Sequence, residues 1–191
     1  MPIEIIVPDA TTQPNPAWTG GIPHQQLDAA DGNFLSCATP GEKFNVSFGD
    51  LISNIGSINS IAFGIQGGVD LVRGVTANAS FTILDSSDSV LYTAENKNFN
   101  DTTFSTVQAG TTRTTSDGST AWTESDVNGL RMQVKFNSIT PGGGSFKLNF
   151  LKIDVDYNEL VVATPTYDST IGRITMISNT TILSGGTIII D

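Results

Sequence analysis

Apolar and polar residues alternate along most of this chain. In LRMQVKF, Leu130, Met132, Val134 and Phe136 share one parity, and Arg131, Gln133 and Lys135 take the other. That is the period of a strand with one face in a core and one in solvent. FNVSF repeats the pattern with Phe44, Val46 and Phe48, and IAFGI repeats it with Ile61, Phe63 and Ile65. ASFTIL and SVLYT flank Asp85-Ser86-Ser87-Asp88, which reads as a hairpin turn.

The run SFKLNFLKIDVDY changes phase. Phe146, Leu148 and Phe150 share one parity, whereas Leu151, Ile153, Val155 and Tyr157 share the other. One extra residue flips every later side chain, so the switch predicts a β-bulge or corner near Phe150-Leu151. The predicted core is Phe44, Val46, Phe48, Ile61, Phe63, Phe81, Leu130, Met132, Val134, Phe136, Phe146, Leu148, Ile153 and Val155. Helical signals are short: HQQLDAAD and TESDVNGL each allow at most two turns. Short strands punctuated by turns roughly every ten residues predict an all-β fold, an antiparallel β-sandwich that is jelly-roll-like, with a C-terminal β extension.

The organisation expected is an N-terminal arm or strand over residues 1–14, a sandwich over 15–159, and an extension of short strands over 160–191, broken at Pro165. The runs Ile3 to Val7, Leu160 to Ala163, Ile171 to Ile177 and Thr187 to Ile190 are more apolar than solvated tails tolerate. Unpaired strands of this kind invite another chain. Ile3, Ile5, Val7, Val162, Ile174, Met176, Ile188 and Ile190 are therefore candidate assembly contacts. The alternative is that these strands fold back on their own sandwich.

Length and charge narrow the function. At 191 residues the chain suits one domain, or one domain with an extension. Charged residues are only 15%, and the formal net charge is −10. Such a chain repels phosphates and anionic lipid, so neither nucleic acid nor membrane is an expected partner. No stretch approaches the ~20 apolar residues of a membrane span, and MPIEIIVPDA lacks the pattern of a secretory signal. The expectation is a soluble protein without a cleaved leader.

The chemistry-bearing residues are sparse. G-x-S-x-G, H-E-x-x-H, P-loop and G-x-G-x-x-G patterns do not occur. Cys37 and His24 are the sole cysteine and histidine; the first reads as a small buried hydrophobe, the second as a surface-loop residue. DVDYNE opens like a calcium loop with Asp154, Asp156 and Asn158, but Glu159 stands where glycine is required and Pro165 where the bidentate glutamate belongs. Those side chains read instead as one solvated strand face. Asp28 and Asp31 are explained by turn chemistry at Asp31-Gly32. The expectation is no catalytic set, no metal and no cofactor, hence no enzyme; an enzyme would need two carboxylates facing one cleft. Trp18, Tyr92 and Trp122 are candidate carbohydrate-binding rings, with core or edge packing as the competing reading. The glycosylation-type triplets at Asn45, Asn78, Asn100 and Asn179 are expected by chance in a Ser/Thr/Asn-rich chain.

The order NPAW, QLDAADGNFLSCA, NSIAFGIQG, TAWTESDVNGLRMQVKF and FKLNFLKIDVDY resembles the jelly-roll or galactose-binding-like β-sandwich structural proteins of tailed bacteriophage virions. The resemblance covers Asn15 to Tyr157 and stops short of the extension. It implies a virion location and a role as a capsid decoration (cement) or fibre-type surface subunit. The implied partners are copies of itself and other virion proteins. Host-surface carbohydrate is the alternative partner, bound by an adhesin module. The resemblance also implies that Asn33 to Ala38 form the first core strand and that Trp18 covers one end of the sandwich.

Overall fold

Strands β1 (Ile3–Ile6) and β2 (Pro8–Gln13) are separated by Val7 alone, yet they lie in different sheets. The computed structural model describes residues 2–51, 55–70, 74–104, 106–141, 143–160, 165–168 and 173–176. Further strands are β3 (Trp18–Thr19), β4 (Leu35–Cys37), β5 (Lys43–Phe48), β6 (Ile55–Val69), β7 (Thr76–Leu84), β8 (Val90–Phe99), β9 (Val107–Ala109), β10 (Arg131–Thr140), β11 (Phe146–Glu159), β12 (Pro165–Asp168) and β13 (Arg173–Met176). The helices α1 (Pro23–Leu27) and α2 (Glu124–Asn128) are short. One sheet is 6-stranded in the order β3-β4-β11-β6-β9, with β1 added on β11 beyond β4. The other is 5-stranded, β2-β5-β10-β7-β8. The pairings are antiparallel. This is the expected jelly-roll-like sandwich. In the C-terminal extension, β12 and β13 pair with each other.

Alternation fills the space between the sheets. Every residue of the predicted core is buried. Phe136 of β10 stacks on Phe146 of β11 with centroids 5.7 Å apart, and Phe146 also meets Phe99 at 5.0 Å, so phenylalanines tie one layer to the other. The opposite parity faces outward. On the 5-stranded sheet this outer face carries an amide ladder: Asn137 donates to Asn78 at 2.9 Å and to Asn96 at 3.1 Å, and Asn78 donates to Asn98 at 2.8 Å.

The phase switch in β11 is a bulge, but it sits at Asn149, just before the expected Phe150-Leu151 step. Leu148 pairs with Gly67 and Phe150 with Gln66, which leaves Asn149 unmatched. Phe146 and Leu148 therefore point inward before the bulge and Leu151, Ile153 and Val155 after it, while Phe150 is half-buried on the other side. The Asn149 side chain is buried and donates to the Asn33 carbonyl. The sequence reading counted Phe150 with the first inward group because it is apolar; the displaced residue is a polar one whose hydrogen bond is satisfied inside.

Turns follow their side chains. Asp85 Oδ1 accepts from the Ser87 and Ser89 N–H groups, both at 2.8 Å, and closes the β7–β8 hairpin. Asp31 accepts from Asn33 N–H at 3.0 Å while Gly32 takes φ +91°. β4 falls inside the expected Asn33 to Ala38 stretch but is not the first core strand, because Ile6 of β1 and Trp18 of β3 are already buried in the core. Thr123 and Asp126 form a reciprocal capping box on α2. Gly68 is needed for a different reason. A Cβ there would collide with the Asp101 carbonyl, because the loop after β8 crosses directly over β6 and gives its carbonyl to Val69 N–H at 2.9 Å.

The bulge position makes a testable contrast. Phe146→Ala should lose about 3–5 kcal/mol in chemical denaturation, whereas Phe150→Ala should lose only about 1 kcal/mol. Equal losses would put Phe150 in the core and move the bulge.

Candidate functional site

The three candidate sugar-stacking rings are not brought together. Trp18 is 4% exposed and packs edge-on against Phe44 at 4.8 Å and Phe146 at 5.8 Å, filling the end of the core between the sheets. Both ring faces are covered by its own chain, so Trp18 offers no stacking platform. Trp122 is also 4% exposed. It lies beside Tyr92 with centroids 6.3 Å apart, and its indole N–H donates to the Arg113 carbonyl at 3.0 Å. Tyr92 in turn carries the Arg113 guanidinium over its ring at 4.4 Å and donates its hydroxyl to the Thr115 carbonyl. Tyr92 and Trp122 are thus engaged in closing the sandwich.

That closure joins the edge strands of the two sheets. Glu95 of β8 accepts from Thr111 N–H at 3.0 Å and pairs with Arg113 at 3.1 Å and Lys97 at 3.4 Å. Lys97 donates to the Ala109 carbonyl of β9 at 2.8 Å. Arg113 itself exchanges both backbone hydrogen bonds with Ile61. Burial pushes the Glu95 carboxyl pKa up, but hydrogen bonds from Thr111 and the Lys97 charge outweigh it, and the net shift is downward. At the loop tip Asp117 accepts from Thr120 N–H at 2.7 Å and Ser119 N–H at 2.9 Å, which lowers its pKa from 3.8 to about 2.

The candidate assembly residues fare differently. Ile3 is 65% and Ile5 57% exposed. They stand on β1 opposite Asp156 and Asp154. Among the described residues no strand pairs with the other edge of β1. Ile3 borders a depression of ≈ 410 Å³ on the outer face of the 6-stranded sheet, with Ala62, Ser60, Thr112, Asp154 and Asp156. Asp154 is paired to Lys152 at 2.7 Å, and Asp156 Oδ1 is buried without a hydrogen-bond partner among the described residues. Val7 is half-buried at the crossing between sheets. Ile174 and Met176 fall on β13, opposite Tyr167 and Pro165. Val162, Ile188 and Ile190 lie outside the described residues. Sequence reading found Ile3 and Ile5 from their apolarity. It missed Ala62 and Thr112, which reach this face through pairing across the sheet and leave no local signal.

His24 is not on a loop. It sits in the first turn of α1, where its backbone N–H donates to Thr11 Oγ1 at 3.2 Å and its Nδ1 lies 3.0 Å from the same hydroxyl. A cleft of ≈ 520 Å³ opens here, with Pro14, Pro16, Pro23, Thr11, His24 and Trp18 among its walls. Cys37 is buried as a small hydrophobe. Burial pushes its thiol pKa up, opposed by a backbone hydrogen bond with Thr39, with the Glu42 charge adding to the rise. Among the described residues no group of His, Cys, Asp and Glu is arranged to hold a metal ion. Asp154 and Asp156 share one outer strand face.

No protein-family profile matches the sequence, and no curated protein does. Among solved structures the chain is similar to a truncated AlyQ with CBM32 and alginate lyase domains, at 10% identity and a TM-score of 0.45, over 82% of this chain and 34% of that one. The chain spans about a third of that structure's length.

The Asp117 turn predicts the acid limb of stability. A carboxyl whose folded pKa is depressed contributes stability above its unfolded value and loses it as pH falls through the folded one. For Asp117 that window runs from 3.8 down to about 2. Asp117→Asn, measured by denaturation across this range, should show a shallower decline than the parent. A decline of unchanged slope would show that the turn does not hold the charged carboxylate.

Proposed function

We propose that this chain is a non-catalytic structural protein of a tailed-phage virion, a capsid decoration (cement) or fibre-type surface subunit that acts through subunit contacts. The observation that carries the reading is β1: an edge strand with β11 as its one strand partner among the described residues, bearing two exposed isoleucines in register with a carboxylate-lined face. A free edge presents unpaired backbone N–H and C=O groups that a strand from another chain can complete. Covering Ile3 and Ile5 removes apolar surface worth roughly 1.5–3 kcal/mol for each side chain fully buried. The contrast with the amide-laced outer face of the 5-stranded sheet supports a single docking side. The resemblance over Asn15 to Tyr157 supplies the virion setting. On this reading the sandwich over residues 15–159 is the body of the subunit, and residues 160–191 add contacts to copies of itself or to other virion proteins.

A host-surface carbohydrate-binding module is the second reading. Trp18, Tyr92 and Trp122 do not supply its platform; the proline-walled cleft beside Trp18 is the feature that favours it.

The assembly role is tested by Ile3→Thr/Ile5→Thr, which removes apolar surface without setting like charges opposite Asp156 and Asp154. Both side chains are exposed, so the double variant should keep the melting temperature of the parent. In sedimentation velocity its self-association, or its binding to purified particles, should weaken by at least roughly tenfold. A parent that neither self-associates nor binds particles, or a variant that does both as well as the parent, would overturn the reading.

A further inference from the structure

Trp18 carries an unmet demand. Its ring is held by Phe44 and Phe146, but its indole N–H is buried and finds no acceptor among the described residues. Buried donors are almost always paired, because an unmade hydrogen bond in a water-poor site costs stability. Trp122, the other tryptophan of the chain, meets the rule with the Arg113 carbonyl at 3.0 Å. Trp18 has no such acceptor among the described residues, and Trp18 also lines the ≈ 520 Å³ cleft. That volume lies within the roughly 300–1,000 Å³ range of small-ligand sites.

The walls define what would fit. Pro14, Pro16 and Pro23 present C–H surface, and among the described residues no Lys, Arg, Asp or Glu lines the cleft of a chain with net charge −10. A charged ligand would find no counter-ion in the walls, and the Glu42 carboxylate behind the lining residue Asn15, 2.6 Å from its amide, further disfavours an anion. His24 supplies a second donor. Thr11 Oγ1 accepts from the His24 backbone N–H and lies 3.0 Å from Nδ1; in the tautomer in which this hydroxyl donates to Nδ1, the ring N–H is on Nε2. The occupant is therefore uncharged, amphipathic and rich in acceptor oxygens. An added peptide strand is disfavoured, because α1 lies against β2 at Thr11 and blocks that sheet edge.

We propose that the cleft between β2, the Pro14–Trp18 turn and α1 binds a neutral pyranose, with the Trp18 and His24 ring N–H groups donating to its oxygens and the prolines covering a C–H face. The Trp18 N–H is buried, so binding requires its surroundings to yield enough to admit the oxygen. The site belongs to the carbohydrate-binding reading, and its failure leaves the β1 assembly role untouched.

The chain contains its own control. Its 2 tryptophans give two indole N–H peaks in a ¹H–¹⁵N spectrum of the labelled protein, and Trp122→Phe assigns them. Glucose, galactose, mannose, N-acetylglucosamine and galacturonate are each titrated to about 20 mM, a range that captures millimolar affinity. At least one neutral sugar should move the Trp18 peak along a saturable curve while the Trp122 peak stays fixed. Galacturonate should bind at least roughly fivefold more weakly than the best neutral sugar, and His24→Ala should weaken that sugar by roughly fivefold, the value of one hydrogen bond. Absence of a saturable Trp18 shift with every neutral sugar, equal movement of both indoles, or galacturonate binding as tightly as the neutral sugars would overturn the proposal. If the variants fail to fold, nuclear Overhauser contacts assign the two peaks in the parent, Trp18 by Phe44 and Phe146 and Trp122 by Arg113, and the parent titration decides.

Discussion

The structure turns on one unmatched residue, Asn149. β11 is the strand on which β1, β4 and β6 all register, and it spans the whole 6-stranded sheet. Without an extra residue, a strand burying Phe146 and Leu148 would turn Leu151, Ile153 and Val155 to the outer face. The bulge at Asn149 reverses the parity, so both halves of the strand feed one core. It also separates two neighbourhoods along the same edge: β4 pairs before it and β1 after it. The cost of burying an amide there is offset by its hydrogen bond to the Asn33 carbonyl, which ties the loop before β4 to the bulge.

With the core fixed, the two open sides of the sandwich are closed by different means. On one side β8 and β9, edge strands of opposite sheets, are joined through Glu95, Lys97 and Arg113, with Tyr92 and Trp122 packed beneath. On the other, α1 and the turn before β3 lie across β2, and Trp18 fills the end of the core. The first closure satisfies its polar groups through charge and backbone pairing. The second leaves an indole N–H without an acceptor among the described residues and a cleft that Trp18 lines. Both proposed roles rest on such incomplete pairing among the described residues, at the outer edge of β1 and beside Trp18.

Sequence carried the inward parity of β5, β7, β10 and β11 because alternation is local and each strand declares its own face. It carried the hairpin at Asp85, the turn at Asp31 and the brevity of both helices for the same reason. The bulge was legible as a phase switch, but its place was not, since an apolar Phe150 conceals that the extra residue is Asn149. The aromatic rings are less legible. Rings beside polar loops suit packing, the reading two tryptophans favour, or a binding surface, and the placement of Phe44, Phe146 and Arg113 decides for packing. Arg113 and Glu95, 18 residues apart, gave no spacing signal for their pair. Thr11 and His24 meet because one edge strand and one five-residue helix happen to share a side of the sandwich.

The chain enters β1 and leaves β11 at one corner, where Tyr157 N–H donates to the Pro2 carbonyl. β1 is antiparallel to β11, so tension applied between Pro2 and Glu159 pulls neighbouring strand ends apart rather than sliding them past each other. Hydrogen bonds loaded in that direction break in turn, and the strand peels like a zip. β11 itself remains held by β6 and β4. A subunit tethered through both ends would thus release β1 at low force while its core stayed folded. It would then present a bare length of β11 edge, so that in the proposed assembly the corner would act as a mechanical fuse.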